Sequence, residues 1–190
     1  TPSMIILKNR TISGDYWHVY HKSLGATKAL YLQTTDAAAT TSASWNNTNP
    51  TSTVFTNGSS TSTNSSEYIA YCFAEKTGYS KFGSYTGNGN ADGTFVYTGF
   101  RPAFVILKNT GATQDWSMKD NKRPGYNVTD DILYPNGNYA EGHGGDIDIL
   151  SNGFKTRTTA NNTNQSGSTF IYMAFGQSLV GSNNVPCTAR

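Results

Sequence analysis

Pro2-Ser3-Met4-Ile5-Ile6-Leu7-Lys8-Asn9 and, offset by 100 residues, Pro102-Ala103-Phe104-Val105-Ile106-Leu107-Lys108-Asn109 are the stretches on which the fold turns. Each is a short apolar run rich in β-branched residues that stops at Lys-Asn, the pattern of a strand covered on both faces. Working outward, Asp15 and Trp17 return as Asp115 and Trp116 once one inserted residue is allowed. Val54-Phe55-Thr56-Asn57-Gly58 returns as Ile149-Leu150-Ser151-Asn152-Gly153, and Tyr68 to Ala74 returns as Phe170 to Gly176. The blocks keep one order, and length changes fall only between them, so the chain reads as a duplicated unit of roughly a hundred residues.

The blocks also suggest an architecture. Tyr68 to Ala74 and Phe170 to Gly176 are near-continuous apolar runs with polar flanks, expected to be the central buried strands of the two halves. On this reading Cys72 is a small core residue. Asn57-Gly58, Asn152-Gly153, Asn136-Gly137 and Asp92-Gly93 are expected to supply the positive-φ pairs of tight hairpin turns. The Thr-, Ser- and Asn-rich stretch from Thr34 to Ser66 reads as long loops or Thr-rich edge strands. The expected fold is all-β, a β-sandwich with jelly-roll-like connectivity, built from two internally repeated halves with little helix. Residues 1–82 form the first half, 83–99 a Gly-rich connection with one strand at Phe95-Val96-Tyr97, 100–181 the second half and 182–190 a tail. The halves make one compact domain or two closely packed ones. Because the second copy is preceded by Gly99-Phe100-Arg101 while the first opens at Thr1-Pro2, a longer precursor is expected.

Composition narrows the function. Thr, Asn, Ser and Gly supply 83 of 190 residues, charged residues only 14%, and the net charge is +2. Such a weak charge excludes a binder driven by phosphate charge, so no nucleic-acid partner is expected. No apolar run approaches the roughly 20 residues of a membrane-spanning helix, and no membrane insertion is expected. Aromatic residues, at 13%, favour a core of strands built on rings and β-branched side chains.

Together the Pro-x-Φ-Φ-Ile-Leu-Lys-Asn frame (Φ, apolar), Gly25-Ala26-Thr27-Lys28-Ala29-Leu30-Tyr31-Leu32, the Asn-Gly turn, Cys72-Phe73-Ala74-Glu75 and Gly83-Ser84-Tyr85-Thr86-Gly87-Asn88-Gly89 resemble a module of bacteriophage virion proteins. Val185-Pro186-Cys187-Thr188-Ala189-Arg190 resembles the end of such proteins. The module is similar to repeats near the C-terminal end of tail or fibre proteins of tailed phages, notably marine ones, sometimes beside concanavalin-like lectin domains. The resemblance covers most of the chain and brings no catalytic residue with it. It implies a non-enzymatic tail fibre or appendage module on the virion surface, used in assembly and host attachment. It also implies homo-oligomers, with a trimer expected, and other virion proteins as partners. A receptor lectin at a fibre tip, a capsid decoration protein and a polysaccharide depolymerase are the alternatives.

Chemistry-bearing motifs are sparse. The chain has no G-x-S-x-G elbow, P-loop, H-E-x-x-H or paired C-x-x-C. Asp146 and Asp148 share one face of a strand, and they read better as structural carboxylates than as a glycosidase pair. His18 and His21, three apart, face opposite sides of a strand and cannot jointly hold a metal; with His143 they give no expected zinc site. Asn88 to Gly93 has the side-chain oxygens of a calcium loop but a single carboxylate. No metal or cofactor is expected, and a Cys72–Cys187 bond is left open. What remains is surface recognition, in which a sugar stacks on an exposed ring while amides fix its hydroxyls. The candidates are Trp45, Tyr79, Tyr126, Tyr134, Asn136, Asn138 and Tyr139, with a host-surface glycan as the ligand and the loop from Tyr126 to Tyr139 foremost.

Overall fold

The computed structural model describes residues 1–177. In chain order the elements are β1 Met4–Asn9, β2 Trp17–His21, β3 Lys28–Tyr31, β4 Ala39–Thr40, β5 Tyr68–Phe73, β6 Ser80–Thr86 and β7 Phe95–Tyr97. The second half adds β8 Pro102–Asn109, β9 Ser117–Asp120, β10 Thr129–Ile132, β11 Gly142–Leu150, β12 Gly153–Thr156, α1 Asn161–Asn164 and β13 Thr169–Gly176. The strands form three antiparallel sheets: a first sheet ordered β4-β3-β2-β1-β5, a middle sheet β6-β13-β8-β9 and an outer sheet β10-β11-β12-β7. The fold is an all-β sandwich of two repeated halves, with one four-residue helix among the described residues.

The repeat is visible in the pairing itself. Met4, Ile5, Ile6 and Leu7 of β1 face Phe73, Cys72, Tyr71 and Ala70 of β5. Their counterparts in β8, Phe104, Val105, Ile106 and Leu107, face Phe175, Ala174, Met173 and Tyr172 of β13. Each β5 residue sits opposite the residue that the sequence correspondence requires, with no slip. A one-residue slip would turn every side chain to the other face, so the shared register fixes which rings enter the core.

The Lys-Asn stop has a physical role in both copies. Lys8 Nζ donates to the Asp15 carbonyl at 2.6 Å, and Lys108 Nζ to the Gln114 carbonyl at 2.6 Å, in each case two residues before the tryptophan at which the next strand begins or which directly precedes it. Asn9 Oδ1 accepts from the amides of Thr11 and Ile12, and Asn109 Oδ1 from that of Gly111. The asparagine thereby offers the backbone a turn in place of another ladder rung and ends the strand.

The middle sheet is packed on both faces. Val105, Leu107, Phe170, Tyr172 and Ala174 point to the outer sheet and meet Ile147, Ile149 and Phe154. Ile106, Ile171 and Met173 point the other way and meet Met4, Ile6, Val19 and Leu30 of the first sheet. This two-sided burial accounts for unbroken apolar runs where a half-exposed strand would alternate. The far face of the first sheet carries Ile5, Leu7 and Tyr20, and the polar excursion after β4 lays Trp45 and Phe55 over them. That excursion is held by side-chain bonds: Thr61 Oγ1 donates to the Ser44 carbonyl and Ser60 Oγ to that of Ala43.

Several expectations are corrected. Tyr68 to Ala74 is not a central buried strand, because β5 ends the first sheet and exposes its four middle residues. Cys72 lies in that exposed stretch rather than in the core; Cys187, its possible partner, lies outside the described residues. The Asn-Gly sites do not adopt positive φ. Leu150 pairs with Gly153 around a turn made by Ser151 and Asn152, and Asn57-Gly58 joins no pair of strands. Glycine is required there for closeness instead: a Cβ on Gly58 would collide with the Ala43 carbonyl oxygen, and one on Gly153 with the Val96 oxygen. β6 runs across residue 82 and pairs with β13 of the second half.

Candidate functional site

The residues expected to form a glycan platform divide into core, staple and surface. Trp45 is corrected to the core: it is 1% exposed, and its ring packs edge-on against Tyr20 at 5.9 Å. Apolar rings placed in a polar loop served here to cap a sheet, not to meet a ligand. Asn136 is corrected to a staple, since its Oδ1 accepts from the Trp116 amide at 2.7 Å and its Nδ2 donates to Asp115 Oδ1 at 2.6 Å. Tyr134 is half-buried and meets Tyr139 edge-on at 5.7 Å, while Asn138 is exposed beside them. Tyr126 and Tyr139 are 81% and 62% exposed. Arg123 links their loops, bonding Asp120 and Glu141 at 2.6 Å each. Tyr79 is exposed in the turn between β5 and β6, its ring 5.8 Å from Phe175.

A second surface, absent from the sequence expectations, lies on the flank of the first sheet. Lys8 to Gly14, Trp17, Ile69 and Tyr71 line an open cleft of about 560 Å³. Lys8, Trp17 and Ile69 sit side by side on adjacent strands, and the Lys8 ammonium stands 5.8 Å over the Trp17 ring. Tyr71 is 44% exposed, and the outer edge of β5 has no strand beside it among the described residues. The signal that could have located this cleft was the pairing Tyr71–Met173 between the halves. A ring stands there in one copy and a flexible core side chain in the other.

The equivalent place in the second half is filled. Lys108 Nζ donates to the carbonyls of both Gln114 and Thr35, and Trp116 Nε1 donates to the Tyr31 carbonyl. The segment that follows β3 therefore crosses onto the second half, where Ala38 also packs against the core. Lys108 is fully buried, and burial pushes its pKa down to about 8.

Several other titratable groups have structural partners. The buried Lys119 ammonium donates to the carbonyls of Asp130 and Gly144, and burial lowers its pKa to about 8. His143 Nδ1 lies 3.0 Å from Asp131 Oδ1 and 3.5 Å from Asp130 Oδ2, a donor set able to hold a metal ion. The Lys119 ammonium on the Asp130 carbonyl already places positive charge beside that group. Asp148 faces Arg157 at 3.5 Å, and the side chains of Asn88 and Asn90 accept from the amides of Asn90 and Asp92. His18 and His21 point to opposite faces: His18 Nδ1 meets Ser44 Oγ at 3.0 Å, while His21 Nε2 meets the Tyr172 carbonyl at 3.1 Å. Burial lowers the pKa of His21 to about 4, so the neutral ring donates from Nε2 and accepts the Ser23 amide at Nδ1.

No curated protein and no solved structure matches the chain significantly. Residues 1–178 match the family described as Domain of unknown function (DUF7483), and the chain belongs to that family.

Proposed function

We propose that this chain is a non-enzymatic structural module of a bacteriophage virion, of the tail fibre or appendage type, that works by assembly and host-surface attachment. The observation that supports this reading is the flank of the first sheet. There a six-residue apolar strand, Tyr68–Phe73, presents an open edge beside a cleft. Proteins that do not pair through sheet edges blunt them with Lys, Pro or bulges, and β5 contains none of these. The Thr-, Asn- and Ser-rich surface elsewhere suits an exposed particle component, and the sequence resemblance supplies the phage context. Labelling of purified virions that encode this chain with an antibody raised against it tests the reading. Label on an appendage is expected, and particles free of the chain would refute it.

A receptor-lectin reading is favoured by one separate observation, the exposed rings of Tyr126 and Tyr139 on loops tied together by Arg123. Saturable signals on a glycan array that vanish in Tyr139→Ala would support it.

A further inference from the structure

We infer that the free edge of β5 receives an extended strand of another polypeptide with the pattern of β6, which continues the first sheet between chains. The inference deepens the assembly reading and rests on it only for where the partner comes from. The warrant is internal. β13, the counterpart of β5, has β6 on the edge that β5 leaves open among the described residues.

The β6–β13 pairing sets Phe82 opposite Met173, Gly83 opposite Tyr172, Ser84 opposite Ile171 and Tyr85 opposite Phe170. The shared register transfers these places to Tyr71, Ala70, Ile69 and Tyr68. An incoming antiparallel strand then sets an aromatic side chain beside Tyr71 on the cleft face, a small polar one beside Ile69 and a second ring beside Tyr68. The second ring has a precedent in the stacked Tyr85–Phe170 pair, with centroids 4.9 Å apart. One requirement relaxes. A Cβ at Gly83 would lie 2.7 Å from the Tyr172 hydroxyl, but Ala70 carries no ring, so a larger residue fits at that place in the partner.

Lys108 donates to two carbonyls, whereas Lys8 donates to the Asp15 carbonyl alone among the described residues. Main-chain bonds along the edge give such docking its affinity, and the cleft gives it side-chain preference. A second copy of this chain cannot supply the strand from its own β6, which is paired with β13 over seven residues.

The test uses the full chain and a synthetic peptide of the sequence Tyr79 to Gly87, with a scrambled peptide as control. Amide exchange across Tyr68–Phe73 is expected to slow at least tenfold, saturably, with the β6 peptide and not with the scramble. Ile69→Lys and Tyr71→Asp, both at exposed positions, are expected to abolish the protection while leaving the melting temperature within a few degrees. Unchanged β5 exchange at saturating peptide overturns the inference. So does protection already present without peptide, whether constant or rising with protein concentration, since the edge would then be occupied by the chain's own residues or by a second copy. Peptide binding is read on the isolated chain, so it can fail while virion labelling succeeds, and the reverse.

Discussion

Raising the pH from 7.5 to 9 is expected to stabilise this protein, against the usual trend for folded proteins. Lys108 and Lys119 are fully buried, and burial lowers the pKa of each from 10.5 to about 8. Between those values the unfolded chain keeps a proton that the folded chain has released, so the unfolded state binds more protons and stability climbs with pH. Below about pH 8 both states are protonated and the gain vanishes. For one such lysine the linkage gives about 1 kcal/mol by pH 9 and between about 2 and 3 kcal/mol by pH 10. Both together raise the melting temperature by about 5 to 10 °C at pH 9 for a domain of this size. The opposing process begins near pH 10, because buried Tyr85 and Tyr172 have pKa values raised by burial and lose stability once the unfolded chain ionises there. The assay is thermal unfolding by circular dichroism at half-unit steps from pH 7 to 9.5. Lys108→Met and Lys119→Met each remove about half of the rise. A melting temperature that stays flat or falls from pH 7.5 to 9, or a double variant that keeps the full rise, would refute the reasoning.

Acid acts through a different buried group. His21, neutral between the first and middle sheets with a pKa of about 4, makes stability fall as pH drops from 6.5, by about 2 kcal/mol at pH 5, and His21→Phe flattens that slope in urea titrations. Trp45→Ala removes the largest ring between the loop layer and the first sheet; it lowers unfolding free energy by about 3 to 5 kcal/mol and leaves any glycan-array signal unchanged. Asn109→Ala deprives the Gly111 amide, the Asn161 carbonyl and the Gln165 side chain of their partner, costing about 2 to 3 kcal/mol by denaturant titration.

Strand identity and register were legible because they depend on local pattern: the two Ile-Leu-Lys-Asn blocks carry the same apolar spacing and the same stop. Depth was not legible. Tyr68–Phe73 and Thr169–Gly176 are equally apolar, yet one is an exposed edge and the other lies at the centre of a sheet packed on both faces. What separates them is whether β6 lies alongside, a long-range choice whose local trace is slight, as in Tyr71 of one strand against Met173 of the other. The Asn-Gly blocks misled for a related reason. Glycine satisfies both positive φ and close approach, and only the position of the Ala43 and Val96 carbonyls shows which demand was at work. Among the glycan candidates, the position of Trp45 in a polar stretch could not reveal that the stretch folds back as a layer over Ile5 and Leu7. The exposure of Tyr126 and Tyr139 was legible because both stand in long polar loops.

The two copies share a register but not an environment, and the difference has one direction. The segment after β3, which reaches Lys108 through the Thr35 carbonyl, comes from the first half and covers the second. β6, which follows β5 in the chain, also joins the second half by pairing with β13. Neither contribution is returned: the second-half turn at Asn136 bonds Asp115 and Trp116 of its own half, not Lys8 or Trp17. Among the described residues, the β6 strand and the post-β3 segment that complete the second copy have no counterpart on the first, at the β5 edge and at the Lys8–Trp17–Tyr71 cleft. A duplicated sheet covered on one copy alone has a built-in polarity: a strand received at the β5 edge makes a heterologous contact between unlike surfaces, where two exposed copies of one edge could pair with each other.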